Sequence, residues 1–468
     1  MSGLHTVEKI GGTSMTRFGD VMKNVIIGKR SGADLYNRIF VVSAYGGITN
    51  LLLENKKTGA PGIYGFFAED SEEWKDALEK TRAEMKRLNR TFESIGLDIK
   101  KADEFVDQRL DGLIVSLEDL MTLRKFGHFK PKDYLPAARE FLAAVGEAHS
   151  AYNSSLILQA NGVNARFVDL SGWRSMESLE LDDAICKAFE GIDFSVEMPI
   201  VTGYVKCDEG IMKTFDRGYS EITFSKIAVL TNACEGIIHK EYHLSTGDPK
   251  LIGEDKVRVI GYTNFDIADQ LSDMGMEAIH PKAAKEMECR NIPIRVKNAF
   301  EPEHPGTLIS RDYVSPVPRV EMICGRTDIV AIEVHDPKMV GESGYDFRLC
   351  GCLDKFDINY IAKTTNANTI THFVPERSRN LDECLEEIRT VLPESKVALH
   401  KVAIISVIGT NMRVPGFLAR ASKSLFDAGI NILALDQTLH QVNIQFMVCR
   451  DDFRKGQIVL HSEFVKKQ

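Results

Sequence analysis

A lysine and a glycine-rich loop stand near the start of the chain. Lys9 is followed by isoleucine, two glycines, a threonine and a serine, and a short apolar stretch at residues 4–7 comes before it. This order predicts a first strand that opens into a phosphate-binding loop. Adjacent glycines let backbone N–H groups approach an anion, hydroxyl groups add donors, and a lysine ammonium supplies the charge that phosphoryl transfer needs. The chemistry indicated is phosphate handling.

The common nucleotide signatures do not accompany this loop. The sequence contains neither a G-x-x-x-x-G-K-[ST] loop nor the H-R-D and D-F-G pair of protein kinases. A glycine pair alone more often marks a plain turn, so the interpretation needs support from other motifs. Any nucleotide site in this chain is therefore of another kind.

Length, charge and composition limit the classes of function. A chain of 468 residues predicts about two to four domains. The net charge of −9 and the lack of a basic stripe argue against nucleic-acid binding and favour small ligands. The sequence has neither a secretory leader nor a run of about 18 apolar residues, which predicts a cytoplasmic protein with no membrane partner.

The cysteines do not suggest metal chemistry at this stage. There are nine, scattered along the chain, and only Cys350 and Cys352 lie close together. No C-x-x-C pair is present, so reduced structural thiols are the expectation and no protein metal ligand is predicted.

The pattern of apolar residues predicts an α/β domain followed by two smaller modules. Apolar runs at 38–43, 165–169, 198–202 and 225–231 alternate with helix-like stretches, as in a largely parallel sheet covered by helices. Residues 71–144 have a helical pattern. Prolines 302, 305, 316 and 318 then mark a linker.

After the linker, two segments share one layout. Each is expected to run strand, helix, strand, strand, helix, the first from residue 329 and the second from residue 401, as in a split βαβ module. The predicted domains are residues 1–310, 320–395 and 396–468. A module pair of this kind could also serve only to dimerise the chain.

Several motifs together resemble one enzyme family. They are K-I-G-G-T-S at 9–14, S-A-Y-G-G-I-T-N at 43–50, V-G-E at 145–147, P-I-V-T-G-Y at 199–204, G-M-E-A-I-H-P-K at 275–282 and the N-x-F-x-P-x-x-P-G-T stretch at 298–307. In order and spacing they resemble the motifs of aspartate kinases, and the paired modules resemble tandem ACT domains. The likeness covers nearly the whole chain.

The resemblance implies a three-layer αβα amino-acid-kinase domain followed by two ferredoxin-like ACT modules. It also implies transfer of the γ-phosphoryl group of ATP, with Mg²⁺, to the β-carboxylate of L-aspartate. That carboxylate is already ionised near neutral pH, so alignment and charge neutralisation must carry the catalysis. An amino-acid effector at the ACT modules and a homodimer or larger homo-oligomer are further expectations from the family.

Site residues follow from the same resemblance. Lys9 holds the transferring phosphoryl group and Glu221 orients that lysine. The substrate is bound by Glu147 at its α-ammonium, by Arg217 at its α-carboxylate, and by Thr49 and Ser220 nearby. The expected nucleotide contacts are Gly11, Gly12, Ser14, Ser43, Gly46, Gly47, Lys250 and Lys282.

The chain also departs from the family pattern. Relatives usually read G-R-G-G-S-D where this chain has Asp216-Arg217-Gly218-Tyr219-Ser220-Glu221, so that a tyrosine replaces a glycine and a glutamate an aspartate. His239-Lys240 stands where relatives carry a threonine-aspartate pair, and Glu277 where they carry a lysine. With these changes the chain resembles the divergent aspartate kinases associated with ectoine synthesis.

Two other functions remain open from the sequence. One is a related kinase that phosphorylates glutamate, acetylglutamate or a nucleotide. The other is a catalytically weak amino-acid sensor, which the loop changes favour.

Overall fold

The computed structural model describes residues 4–215, 218–276 and 278–465. Its strands are β1 (Thr6–Ile10), β2 (Arg38–Val42), β3 (Ala165–Val168), β4 (Met198–Thr202), β5 (Glu235–Lys240), β6 (Tyr262–Asn264), β7 (Ile294–Asn298), β8 (Thr307–Ser310), β9 (Met322–His335), β10 (Ala362–Thr365), β11 (Thr369–Pro375), β12 (Lys396–Ile408), β13 (Ala434–Asp436) and β14 (Asn443–Cys449).

Its α-helices are α1 (Gly12–Thr16), α2 (Phe18–Val21), α3 (Ile48–Leu52), α4 (Ile63–Ala68), α5 (Glu73–Thr91), α6 (Ile99–Arg124), α7 (Pro131–Ala160), α8 (Leu181–Phe189), α9 (Ile211–Phe215), α10 (Tyr219–Leu230), α11 (Pro249–Ile252), α12 (Phe265–Asp273), α13 (Pro281–Cys289), α14 (Tyr345–Lys355), α15 (Leu381–Val391), α16 (Phe417–Asp427) and α17 (Phe453–Phe464). Within the described ranges, no helix has both the length and the apolar character needed to span a bilayer.

The chain divides into two compact units. The first contains the residues up to Leu244 together with Ile279–Arg311, and the second contains Ser245–Ala278 and the residues from Asp312 onward. The predicted boundaries at residues 310, 320 and 396 stay predictions. The contact pattern adds that residues 245–278 group with the C-terminal part of the chain.

A mainly parallel sheet forms the centre of the first unit. Its strands follow the order β3-β4-β2-β1-β5-β7-β8. The pairs β3–β4, β4–β2, β2–β1, β1–β5 and β5–β7 are parallel, and β8 returns antiparallel to β7. Strands β2 and β4 are buried along their whole length, because a parallel sheet is covered on both faces.

Helical segments cover both faces of this sheet. On one face, a Cβ on Gly236 of β5 would lie 2.7 Å from the ring of Phe224 in α10. On the other face, the guanidinium of Arg38 donates to the backbone carbonyls of Val25 and Ile26, just after α2. The layers are therefore helix, sheet, helix, and the predicted three-layer αβα class is confirmed.

The helical expectation for residues 71–144 corresponds to the long helices α5, α6 and the first part of α7. The strand expected at residues 225–231 is wrong, because that apolar run belongs to α10. Its side chains are buried nearly all round, and a buried helix without a polar face cannot be told from a buried strand by periodicity. The strand of this region is β5, a few residues later.

The second unit contains one six-stranded sheet in the order β10-β11-β9-β12-β14-β13. Its elements include the predicted layout twice: β9, α14, β10, β11 and α15, then β12, α16, β13, β14 and α17. The two long strands β9 and β12 pair antiparallel along most of their length, which joins both modules into one sheet. The predicted α+β character of the C-terminal part is confirmed.

Each module has its own apolar core. The first core is formed by Ile332, Val334, Leu349, Leu353, Ile370, Val374, Leu385 and Ile388, and the second by Ile405, Val407, Phe417, Leu425, Ile444, Phe446, Leu460 and Phe464. Gly429, at a φ of 70°, follows the C-cap of α16 in the left-handed conformation that glycine adopts without strain.

Candidate active site

Three loops meet at the carboxyl edge of the parallel sheet. Strands β1, β2 and β4 are neighbours and run in the same direction, so the loops that follow them leave from one edge. The backbone N–H of Ser43 donates to Ile10 O at 3.1 Å, and that of Gly203 donates to Val42 O at 3.1 Å. The fold thus assembles the motifs that start at residues 9, 43 and 199.

The first two loops lie against each other through glycine. A Cβ on Gly12 would be 2.7 Å from the backbone oxygen of Ala44, a distance that real Cβ atoms do not reach. The N–H of Gly46 donates to Thr16 Oγ1 at 2.9 Å. Gly47 has a φ of 90° where α3 begins, a conformation that favours glycine. Gly11 precedes α1, and its N–H donates to His239 O at 3.3 Å.

The loop contact gives a first testable prediction. Gly12→Ala should push the loop after β1 away from Ala44, because the added methyl group meets backbone rather than a movable side chain. If these loops hold the phosphates, a displacement of about 1 Å costs up to about 100-fold in rate. We expect kcat/KM for ATP to fall by at least about tenfold in steady-state assays.

The matched control is Gly261→Ala. Nothing lies within 4 Å of a Cβ at Gly261, and its backbone does not need the left-handed conformation. Its kinetics should match wild type, and unchanged kinetics in Gly12→Ala would contradict a role for the loop contact.

Lys9 is held at the end of β1 by a glutamate from α10. Its Nζ lies 3.2 Å from Glu221 Oε1, and Lys9 is only 8% exposed. Glu221 Oε2 accepts from the backbone N–H of His280 at 2.5 Å. Burial acts to raise the pKa of Glu221, but the charges of Lys9 and Lys240 outweigh it and hold that pKa below its ordinary value. The carboxylate is therefore ionised and fixes the ammonium in place.

A second buried ion pair supports β1 from the opposite face. Glu8 accepts from Arg38 Nε at 2.6 Å and Nη2 at 3.0 Å, and its Oε2 lies 2.7 Å from His239 Nε2. Burial acts to raise the pKa of Glu8, yet Arg38 and His239 together bring it far below its ordinary value. His239, considered from the sequence as a change in the nucleotide site, binds Glu8 inside the protein.

Glu147 lies on α7 and is 2% exposed. Its Oε2 is buried and has no hydrogen-bond partner among the described residues. Burial raises the pKa of Glu147 well above its ordinary value of 4.5, although the charge of Lys9 and the backbone amides of Ala44 and Tyr204 act to lower it. A buried carboxyl oxygen of this kind needs a cationic partner to ionise at low cost.

The space beside Glu147 is kept open by glycine. A Cβ on Gly203 would lie 2.8 Å from Glu147 Oε2 and 2.6 Å from Ser220 Cβ. Ser220 Oγ in turn is 3.2 Å from Ser43 Oγ. The loops after β2 and β4 and the start of α10 therefore bring Ser43, Ser220 and Glu147 to one region.

The remaining predicted residues are placed as follows. Thr49 is partly buried in α3, and Ser14 Oγ donates to Glu241 Oε1 at 3.1 Å. Lys282 is exposed in α13, with its Nζ 5.1 Å from the centre of the Phe215 ring. Lys250 lies in α11 of the second unit, where its backbone N–H is capped by Asp248. The predicted roles of Lys250 and Lys282 stay predictions.

Arg217, the predicted ligand of the α-carboxylate, lies outside the described residues, as does Glu277.

Tyr219, which replaces a glycine of the family pattern, fits the segment without backbone strain. It is the first residue of α10, does not have a positive φ, and is buried against Tyr204 with ring centres 5.8 Å apart. A hydrogen bond from its side chain also acts on the pKa of Glu147. The position needs no left-handed backbone here, so the side chain packs beside Tyr204 and Glu147.

Glu241 was missed as a site component, and Lys240 was noted from the sequence only as a departure from the family pattern. The Lys240 charge lowers the pKa of Glu221, and Glu241 binds Ser14. Because β5 is parallel to β1, with His239 opposite Ile10, the residues after His239 lie beside the loop that follows β1. The strand-like residues of β5, which come just before Glu241, were the sequence signal that could have placed both residues at the site.

Comparison with known proteins identifies the family. The model of the amino acid kinase family matches residues 5–298, and an ACT domain model matches residues 405–464. The chain belongs to the amino acid kinase family and, within it, to the aspartate kinases, so the predicted resemblance is confirmed.

The chain is 47% identical to "Aspartate kinase Ask_Ect" of Stutzerimonas stutzeri over 467 residues, covering 99% of this chain and 98% of that protein. The aspartate kinase of Clostridium acetobutylicum has a similar fold, with a TM-score of 0.74 at 19% identity, covering 98% of this chain and all of that one. Aspartokinase III of E. coli in complex with aspartate and ADP matches with a TM-score of 0.74 at 20% identity, over 98% and 99% of the two chains.

Proposed function

We propose that this protein is an aspartate kinase that transfers the γ-phosphoryl group of ATP to the β-carboxylate of L-aspartate. The observation that carries the proposal is the buried Glu147, whose Oε2 has no partner among the described residues and which lies in the field of Lys9. A phosphate-binding loop alone would fit many kinases. A buried carboxyl group beside it adds a partner for a substrate ammonium, which indicates an amino acid.

The proposed reaction needs no general base. A β-carboxylate oxygen of aspartate attacks the γ-phosphorus, the bond from that phosphorus to the bridging oxygen breaks, and ADP leaves with the electron pair. The product is an acyl phosphate. Lys9, held by Glu221, neutralises charge on the phosphoryl oxygens, and the glycines after β1 and β2 let backbone N–H groups approach the phosphates.

The substrate is oriented by its other charged groups. Glu147 pairs with the α-ammonium, Arg217 with the α-carboxylate, and Thr49 and Ser220 add hydrogen bonds. Charge pairs at both α-groups leave the β-carboxylate free to face the phosphate loop. This assignment also separates aspartate from glutamate, since one extra methylene would displace the reacting oxygen.

ATP binds as the Mg²⁺ complex, with Gly11, Gly12, Ser14, Ser43, Gly46, Gly47, Lys250 and Lys282 as the proposed nucleotide contacts. The bound metal supplies charge neutralisation on the phosphates. The Gly12 contact with Ala44 fits this role, because a Cβ would fill the approach between the loops.

The similarity to Ask_Ect supports a place at the first step of ectoine or aspartate-family amino-acid synthesis. The ACT-like modules are the proposed site of an amino-acid effector and of homodimer or larger assembly. The lysine complex of E. coli aspartokinase III supports effector binding in this class of protein. The proposed location is the cytoplasm.

The test is a substrate panel read out in two ways. With ATP, Mg²⁺ and hydroxylamine, the purified protein should form aspartyl hydroxamate and release ADP with L-aspartate, and do neither with L-glutamate or N-acetylglutamate. Turnover with either of these instead would identify another kinase of the family. Aspartate binding by calorimetry without ADP release would identify a sensor.

A further inference from the structure

A cluster of three potential metal ligands lies in the first module of the second unit, among residues with no role in the proposed reaction. Asp346 and Cys350 are one turn apart on α14, and His372 lies on β11. Helical residues four apart share a face, so the first two side chains point to the same side. Strand β11 supplies the third ligand, His372.

The three ligand atoms form a nearly equilateral triangle. Cys350 Sγ is 3.8 Å from Asp346 Oδ1 and 3.9 Å from His372 Nε2, and His372 Nε2 is 3.8 Å from the same Oδ1. A cation at the centre would be about 2.2 Å from each atom, which is within the usual range of zinc bonds to oxygen, nitrogen and sulfur.

Neighbouring side chains hold two of the ligands. Lys363 Nζ binds the other carboxylate oxygen of Asp346, Oδ2, at 2.8 Å, which leaves Oδ1 turned toward the triangle. The His372 ring is 2% exposed and packs edge-on against Tyr360, with ring centres 5.1 Å apart. Outer contacts of this kind orient ligands in metal sites.

Access and chemistry also fit. Asp346 is exposed and Cys350 partly exposed, so a cation can enter from solvent, whereas His372 is fixed in the interior. His372 Nε2 faces the other two ligand atoms, and an imidazole nitrogen is a common metal ligand. One oxygen, one nitrogen and one sulfur ligand favour a borderline cation over Mg²⁺ or Ca²⁺.

We propose that Asp346, Cys350 and His372 form a binding site for one divalent transition-metal ion, with Zn²⁺ as the best match, in the first ACT-like module. On binding, the Cys350 thiol releases its proton to solvent and the thiolate ligates the metal. A fourth position remains for water. The ion joins α14 to β11 and stabilises that module.

Cobalt is a suitable probe, because its tetrahedral complexes absorb visible light and its thiolate bonds absorb in the near ultraviolet. Full-length protein freed of metal by chelation is titrated with Co²⁺ under reducing conditions. We expect one equivalent to produce both absorptions, and one equivalent of Zn²⁺ to abolish them. Binding should also raise the melting temperature, since the cation binds the folded state.

Two variants that keep the buried histidine test the ligands. Cys350→Ser should abolish the near-ultraviolet band. Asp346→Asn should keep the band but weaken affinity by more than about tenfold, since even outer contacts of metal ligands are worth that much. The matched controls are Cys289→Ser and Cys449→Ser, which remove exposed thiols and should leave the titration unchanged.

The proposal is overturned if wild-type protein gives no stoichiometric complex, if Cys350→Ser retains the thiolate band, or if a control variant removes it. Circular dichroism of each variant separates a lost ligand from a lost fold. Asp346 is exposed, so we expect its replacement by asparagine to leave the fold intact.

Discussion

Lys9→Gln should lower kcat by about 10²–10³-fold, the loss that follows removal of one preorganised donor from a site where charge develops. Glutamine keeps much of the length of lysine but not its charge. Since the ammonium is proposed to act on the transferring phosphoryl group, kcat should change far more than KM for aspartate. The measurement is steady-state ADP release together with aspartyl hydroxamate formation.

The same substitution should destabilise the protein, because it leaves the buried Glu221 carboxylate without its partner. Breaking a buried ion pair on one side costs about 3–5 kcal/mol. Glu221→Gln added to Lys9→Gln should restore part of the free energy of unfolding but none of the activity. A double variant that regains stability without activity distinguishes a catalytic lysine from a merely structural one.

Lys29→Gln is the matched control. Lys29 pairs with Glu303 on the surface, where both side chains are largely exposed, so its replacement should change neither kcat nor stability measurably. A double variant that regains activity together with stability would show that Lys9 supports the fold rather than the reaction.

The main elements of the site could be predicted from sequence because they follow strands. The motifs that start at residues 9, 43 and 199 run through or directly follow the ends of β1, β2 and β4, and parallel strands bring those ends together at one edge of the sheet. The loop at residues 9–14 and the segment at 199–204 are neighbours for this reason. Local spacing was sufficient for β2, β3 and β4, but not for the run at 225–231.

Long-range side-chain partners could not be predicted in the same way. Glu8 and His239 are 231 residues apart, and their pairing depends on β1 lying next to β5. In the proposed metal site, His372 is 22 residues beyond Cys350. This separation matches no short metal-binding motif. The cysteine pattern alone therefore argued against a metal site.

Strand order in the second unit was also beyond local patterns. The repeated layout predicts two modules, but it does not predict that β9 of the first pairs antiparallel with β12 of the second and merges them into one sheet. The apolar run at 225–231 was misassigned to a strand for a related reason, since burial on all sides removes the periodicity that distinguishes a helix.

Glu147→Gln should raise KM for aspartate by about 10²-fold or more, because it removes one charge of a buried pair with the substrate ammonium. Glutamine has the shape of glutamate and can still accept from the amides of Ala44 and Tyr204. The loss is therefore one of charge rather than of packing. KM for ATP should change little, which steady-state kinetics with each substrate varied in turn will show.

Without aspartate the same variant should be more stable than wild type, and the gain should grow with pH. Burial raises the pKa of Glu147 above its unfolded value of 4.5, so the folded protein holds that proton more tightly than the unfolded chain. The contribution of Glu147 to the free energy of unfolding of the wild type is thus lost as the pH rises from about 4.5 through the raised pKa of the folded state. Glutamine does not titrate, so the variant has no such loss. Bound aspartate should make the wild type the more stable of the two proteins, because its ammonium group pairs with the Glu147 carboxylate and the variant has no such charge.

Thermal melts of both proteins between pH 5 and 8, with and without aspartate, measure these opposite effects. Glu118→Gln makes the same chemical change on the exposed face of α6, and its melts and KM should match wild type. If Glu147→Gln is less stable than wild type at pH 8 without ligand, or binds aspartate normally, Glu147 does not hold the substrate ammonium.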